Sequence, residues 1–277
     1  MFLYTFCVNI RRHNNHELIR SLKLLLSSLE RHLKNYKLIC YTNIQSSIEK
    51  VIPPSQYVEY RAYYDKQPRK IYTHPWLNLS FNKINIYKDL RDETGIDYVW
   101  IDLDTIIAYD ISYINDYPNV FLENGGTITK ENILFLNNNS FTVPRNRYIQ
   151  GNLWKINLEL YKDLMKTLDE LTREKLHLRY DLQDLFNYYI YIKNNIKEKN
   201  IHILGRNVRE KSLNGLAMWS SLGNTHATMD GLNHFYLEDG ILKTRYYPEK
   251  EIHILSFTFY TLKQLYDSPR FREFFGS

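Results

Sequence analysis

Two aspartates one residue apart, Asp102 and Asp104, follow directly on an apolar run in YVWIDLDTII (98–107). A carboxylate beside such a run is costly unless something compensates its charge. At a strand end, residues i and i+2 point to the same side. Two like charges placed that way resist joint ionisation without a cation or a helix end nearby. A divalent metal is the natural compensator, and hard oxygen ligands select Mg²⁺ or Mn²⁺. Held by few protein ligands, such a metal keeps positions open for a diphosphate and stabilises charge on a departing phosphate oxygen. The plainer alternative has Asp104 capping a turn and Asp102 solvated. The apolar strand before the pair and the β-branched run after it favour the metal.

The elements that must position this pair are legible in outline. Residues 2–9 read as an apolar strand. Residues 15–34 space Leu and Ile at helical intervals, with Asn14 or Asn15 as cap. YKLICYT (36–42) is a second strand, 44–50 a short helix broken by Pro53-Pro54, QYVEYRAY a third strand, and 79–91 a helix leading into DYVWID. Strands alternating with helices imply a mostly parallel sheet. In such sheets ligands collect beyond the carboxyl ends of the strands, where strand order reverses. The aspartate pair ends the fourth strand-like run. Further on, NVFLENG and NILFLNN read as strands, 153–175 and 181–197 as helices, 212–247 as loops and short strands, and EIHILSFTF (251–259) as a strand before a C-terminal helix. The chain shows no internal repeat and no linker.

With 277 residues, 44% hydrophobic and 24% charged, the chain is that of an ordinary globular protein, large enough for one sizeable α/β domain. The net charge of +5 suits an anionic substrate, but it is too mild and scattered to argue for nucleic acid. Cys7 and Cys40 both lie in strand-like runs and read as buried, reduced thiols. With no secretion signal or membrane span in view, the expectation is a cytoplasmic protein, in the host cytoplasm if the source is viral.

Several segments, in order, resemble GT-A glycosyltransferases of the bacterial and large-DNA-virus type, over roughly residues 2–257. YVWIDLDTII resembles their DxD segment. WLNLSFNKINIYKDL (76–90) resembles the stretch before it, in which a lysine contacts the nucleotide or its phosphates; that lysine is Lys83. YIQGNLWKI (148–156) resembles the segment lining the sugar pocket. LQDLFNYY (182–189) resembles the DQDxxN helix start, and EIHILSF (251–257) resembles the late strand whose histidine completes the metal site. The resemblance implies an α/β, Rossmann-like GT-A fold in a single domain, 1–277, with a nucleotide-binding half (1–110) and a smaller mixed acceptor-side half (111–277). It further implies transfer of a sugar from a nucleotide sugar, with UDP-sugar the expected donor, to a glycan or other hydroxyl acceptor, with Mn²⁺ or Mg²⁺ bound by Asp102, Asp104 and His253. Asp102 reaches either the metal or the ribose. Thr5, Phe6, Asn9, Lys83, Gly151, Asn152 and Gln183 are the implied donor contacts.

The residue types suit these roles, and each has a plainer alternative. Lys83 offers a mobile point charge, or is a surface lysine. His253 ligates Mn²⁺ through a neutral nitrogen, or is a satisfied core histidine. Gly151 permits close backbone approach, or makes a turn. Asn152 bonds a sugar hydroxyl, or closes a turn. Phe6 is a base contact or core. Leu182 stands where the family often has an aspartate, so the donor-orienting role of that position is in doubt. Asp184 and Asp181 are both candidates for the base that deprotonates an acceptor hydroxyl if the reaction inverts, the outcome weakly favoured here although the stereochemistry is not written in the sequence; alternatively they complement the helix dipole. Trp154, Trp219 and Phe235 are either acceptor-stacking or packing residues.

Two other classes compete. A haloacid-dehalogenase-like phosphatase also opens with strand-D-x-D, but Ile106 stands where that family has Thr or Val, and no downstream G-D-x-x-x-D follows. A non-catalytic nucleotide-sugar-binding module would keep the site without turnover. The donor sugar, the acceptor and the oligomeric state are not written in the sequence.

Overall fold

The computed structural model describes residues 1–10, 14–65, 75–124, 148–173, 182–193, 199–204, 218–220, 235–245, 247–256 and 268–275. Its centre is a seven-stranded sheet in the order β3-β2-β1-β4-β7-β6-β8. The strands are β1 (Phe2–Cys7), β2 (Lys37–Thr42), β3 (Val58–Ala62), β4 (Val99–Ile101), β6 (Asn119–Asn124), β7 (Tyr148–Lys155) and β8 (Ile201–Leu204). Only β7 runs against the others; every other neighbouring pair in this sheet is parallel. This is an α/β fold with a mostly parallel, Rossmann-like sheet. The second half of the chain supplies β6, β7 and β8 to the same sheet, so residues on both sides of position 110 share one core.

Helices cover both faces. Helix α1 (Asn15–His32) begins where Asn14 accepts a hydrogen bond from the Glu17 amide at 2.8 Å, as its sequence foretold. Its Leu18, Leu22, Leu25 and Leu29 pack with Leu3, Leu38, Val99 and Ile101 on one face. On the other face, α3 (Pro75–Thr94), α4 (Leu158–Arg173) and α5 (Leu182–Asn187) bury Ile84, Tyr87, Leu164 and Phe186 against Tyr4, Trp100 and Trp154. A short α2 (Gln45–Glu49) lies between β2 and β3. Alternation along β4 divides its residues between the two layers: Tyr98 and Trp100 face α3, and Val99 and Ile101 face α1.

β1 lies between β2 and β4, so consecutive connections leave it in opposite directions. That makes the carboxyl ends of β1 and β4 the switch point where such sheets bind ligands.

Among the described residues two small sheets stand beside the central one. β5 (Thr105–Ile107), β13 (Ile254–Ser256) and β9 (Met218–Ser220) form one; β10 (Phe235–Glu238), β11 (Ile241–Thr244) and β12 (Tyr247–Glu251) form the other. Asp239 and Gly240, both at positive φ (54° and 78°), close the β10–β11 hairpin with the two-residue turn that such angles permit. Helix α6 (Pro269–Phe275) packs its phenylalanines against this region. No helix among the described residues is long and apolar enough to cross a membrane.

Two expectations need correction. Residues 153–157 are not helical: Leu153, Trp154 and Lys155 are strand residues paired with Ile101, Trp100 and Val99, and the helix begins at Leu158. Cross-strand packing of Trp154 on Trp100, 6.3 Å between centroids, outweighs the helical spacing of the leucines that follow. The helix expected at 79–91 begins earlier, at Pro75, a residue well suited to a first helical turn. NILFLNN (132–138) lies outside the described residues.

Candidate functional site

β4 ends at Ile101 and the chain turns at once, the Thr105 amide donating to the Asp102 carbonyl at 3.1 Å. The turn carries both aspartates. Leu103, between them, is buried in the layer on the α1 side. Asp102 follows Trp100 on the α3 side, and there it meets Lys83. The Lys83 ammonium donates to Asp102 Oδ1 at 2.7 Å, and the Trp100 indole Nε1 donates to the same oxygen at 2.9 Å. The Lys83 and Asp102 side chains are 14% and 21% exposed, so solvent screens this pair far less than a surface pair. Lys83 Nζ also lies over the Trp100 ring, 4.5 Å from its centroid. The Tyr4 hydroxyl donates to the Lys83 carbonyl at 2.9 Å, tying this turn of α3 to β1.

The electrostatics follow from the geometry. Burial raises the Asp102 carboxyl above its ordinary range, with the Lys83 charge and the Lys83 and Trp100 hydrogen bonds opposing. Asp104 is pushed up further, well above the usual carboxylate range, by burial and then by the neighbouring Asp102 charge; Lys83 and its own backbone amide offset this only in part. Among the described residues Asp104 makes no ion pair. Among the described residues the pair is therefore under-compensated.

Gly151 and Asn152 lie beside it. The Asp102 amide donates to the Asn152 carbonyl at 2.7 Å. A methyl group added at Gly151 would meet Gln183 Cγ at 3.1 Å, so glycine here lets the start of α5 settle onto β7. Asn187 fixes that contact. Its side chain accepts from the Ile149 amide at 2.8 Å and donates to the Ile149 and Gln183 carbonyls at 3.0 and 2.7 Å. The amide acts as an extra strand residue, pinning the helix to β7 near where its register with β6 shifts, between β6 residues Phe121 and Leu122.

No family model matches the chain, and no curated protein is similar to it. The site stands on its own geometry.

Other expected residues lie elsewhere. His253 does not join the pair. β13 runs antiparallel to β5 with Ile254 opposite Ile107 and Ser256 opposite Thr105, and the Ala108 amide donates to the His253 carbonyl. His253 is thus level with Ala108, four positions along the chain from Asp104, roughly 13 Å in extended backbone. There it is buried, stacked on Tyr109 at 4.5 Å, with Nδ1 3.1 Å from the Tyr113 hydroxyl and Nε2 3.5 Å from Glu251. Burial lowers its pKa and Glu251 opposes. Among the described residues no group of three or more His, Cys, Asp or Glu side chains is arranged to hold a metal ion.

Thr5 is fully buried in mid-strand, on the same side of β1 as Leu3 and Cys7 and facing away from Lys83. Phe6 is on the Lys83 side but serves as packing, edge-on to Trp100 at 4.8 Å and Tyr63 at 5.3 Å. Asn9 fastens the end of β1, exchanging hydrogen bonds with Asn43 and donating to Asn15. Asp184 is 1% exposed and does not face solvent. Asp181 lies outside the described residues. Trp154 and Phe235 are core residues. Cys7 and Cys40 are buried free thiols.

Sequence reading missed Trp100 and Tyr4 as parts of the site. The signal for Trp100 was its i, i+2 relation to Asp102, which puts an N–H donor on the face of the first aspartate.

Proposed function

We propose that this protein is a metal-dependent glycosyltransferase of the GT-A type that moves a sugar from a nucleotide sugar, with a UDP-sugar the expected donor, to a hydroxyl acceptor on a glycan. The observation that carries the reading is the under-compensated Asp102–Asp104 pair, ion-paired with Lys83, at the carboxyl end of β4 beside the switch point. Two carboxylates form too small a donor set for an all-protein cage. They suit Mg²⁺ or Mn²⁺ whose remaining positions are filled by water and substrate phosphates. The donor chemistry therefore fits the cation without His253. When bound, the cation offsets charge on the diphosphate and on the departing phosphate oxygen.

The chain's own groups do the rest. Trp100 and Lys83 hold Asp102 Oδ1 and so set the angle of its carboxylate. Lys83 supplies a point charge for the diphosphate, and Tyr4 fixes the backbone from which it reaches. Gly151, Asn152 and the start of α5 form the neighbouring wall, with the backbone of Asn152 bonded to that of Asp102. This wall is the proposed sugar side of the site.

The test is UDP release from a panel of UDP-sugars, first by slow hydrolysis and then with glycan acceptors, with and without Mn²⁺. Mn²⁺-dependent release from at least one donor, reduced at least about a hundredfold in Asp104→Asn, upholds the reading, since removal of a charge-stabilising group at a reacting phosphate costs on that scale. Donor binding without turnover on any acceptor would make the protein a binding module. No nucleotide binding at all would remove the reading.

A further inference from the structure

Lys83 is in an unusual position for a phosphate-binding lysine, because it is already occupied. Its ammonium group is spent on Asp102 Oδ1, shared with Trp100, over the Trp100 ring. Among the described residues, Asp102 Oδ2 and the Asp104 carboxylate have no cationic partner, so the surface left for a divalent cation lies within a few ångströms of a fixed positive charge. We infer that Lys83 is the resident counter-ion of this site and makes divalent-cation binding conditional on a diphosphate. This rests on the donor-site reading above.

The argument is one of charge. Among the described residues, two carboxylates and one ammonium leave at most a single net negative charge in a half-buried site. A divalent cation arriving alone turns that into a net positive charge beside Lys83, and an uncompensated charge out of water is disfavoured. A diphosphate arriving with the cation brings about two negative charges of its own. The sum then returns near zero or below, and Lys83 gains phosphate oxygens as new partners. The short-range repulsion between ammonium and cation is strong at this depth, because the effective dielectric is far below that of water. The free protein is therefore protected from taking up a cation with no donor present. Lys83 acts as a gate on order of binding, with cation and diphosphate entering together.

The experiment is Mn²⁺ titration followed by the free-ion electron paramagnetic resonance signal, on wild type, Lys83→Met, Lys83→Gln and the double variant Lys83→Met/Asp104→Asn, each alone and with UDP. Lys83→Gln keeps a donor for Asp102 and guards against a folding defect, which thermal melting checks. Wild type should bind Mn²⁺ weakly alone and much more tightly with UDP. Both single variants should bind Mn²⁺ alone at least about tenfold more tightly than wild type, as loss of one nearby positive charge implies, and should lose most of the gain from UDP. The double variant should lose the acquired site. Unchanged or weaker Mn²⁺ binding by both single variants overturns the gate. If wild type still couples Mn²⁺ to UDP in that case, the donor-site reading survives alone. Conversely, tighter Mn²⁺ binding by the variants with no response of wild type to UDP upholds the counter-ion and removes the nucleotide.

Discussion

Asp102 meets its counter-ion through one oxygen, and Asp104 meets none among the described residues; the difference has a measurable consequence at the level of single residues. The Asp104 carboxyl is pushed well above its ordinary range by burial and by Asp102, while Lys83 pulls it back only in part. A group whose folded pKa is raised holds its proton more tightly in the native state, so metal-free stability falls as pH rises from about 4, the unfolded value, through the folded pKa. Asp104→Asn removes a carboxylate that folding disfavours. Without metal, its melting temperature should exceed that of wild type at pH 7.5, and the gap should close toward pH 4, measured by scanning calorimetry. A wild type that is the more stable protein at pH 7.5 would mean that Asp104 has a compensating partner. At this scale residue type and spacing singled out the aspartate pair, whereas Lys83 was picked out only by the resemblance of its segment. Trp100 was picked out by neither, because an aromatic residue in an apolar strand looks like core until its neighbour on the same face is known to be a carboxylate.

At the scale of elements, two polar side chains hold structure that periodicity does not report. Asn187 is buried and satisfies both the amide and the carbonyl of Ile149. Asn187→Ala leaves both backbone groups without a partner, at a cost of about 3 kcal/mol. It should also loosen the start of α5 against Gly151, so urea unfolding should show the full loss and donor binding should weaken in parallel. Lys155, also buried, donates to the carbonyls of Ile114, Asn115 and Tyr117 at 3.4, 3.2 and 2.8 Å, tying the 3₁₀ turn Ser112–Asp116 to the end of β7. Lys155→Met keeps the length and removes the charge. The expected loss is about 2 kcal/mol in urea unfolding, with the aspartate pair undisturbed and Mn²⁺–UDP binding retained. Helix α1 and its Asn14 cap were legible because capping and the 3.6-residue period are local. The β7–α4 boundary was not, since Trp154 is a strand residue only by virtue of Trp100 opposite it.

For the whole molecule, the strand order matters most. The alternating first hundred residues foretold a mostly parallel sheet with the pair at the end of the fourth strand, because βαβ units are built from consecutive segments. The order of the later strands, and the antiparallel insertion of β7 between β4 and β6, depend on contacts distant in sequence. The same long-range pairing separates His253 from Asp104, as β13 aligns on β5 from its far end. Ligand binding at the switch point should therefore slow amide exchange at the ends of β1 and β4, around Asp102–Thr105, and along the start of α5. The β10–β11 hairpin, in a separate sheet, should be unaffected, as followed by hydrogen-exchange mass spectrometry with UDP and Mn²⁺. Protection confined to the hairpin would put the ligand elsewhere.

The most direct test of the central claim is thermal stabilisation by UDP with and without Mn²⁺, on wild type and Asp104→Asn. Ligand at about 100 times its Kd should add about 2.7 kcal/mol to wild-type stability. The shift should need both UDP and Mn²⁺ and vanish in Asp104→Asn. A wild type that is not stabilised by any nucleotide, or a shift that persists in Asp104→Asn, would contradict a metal–diphosphate site at Asp102 and Asp104.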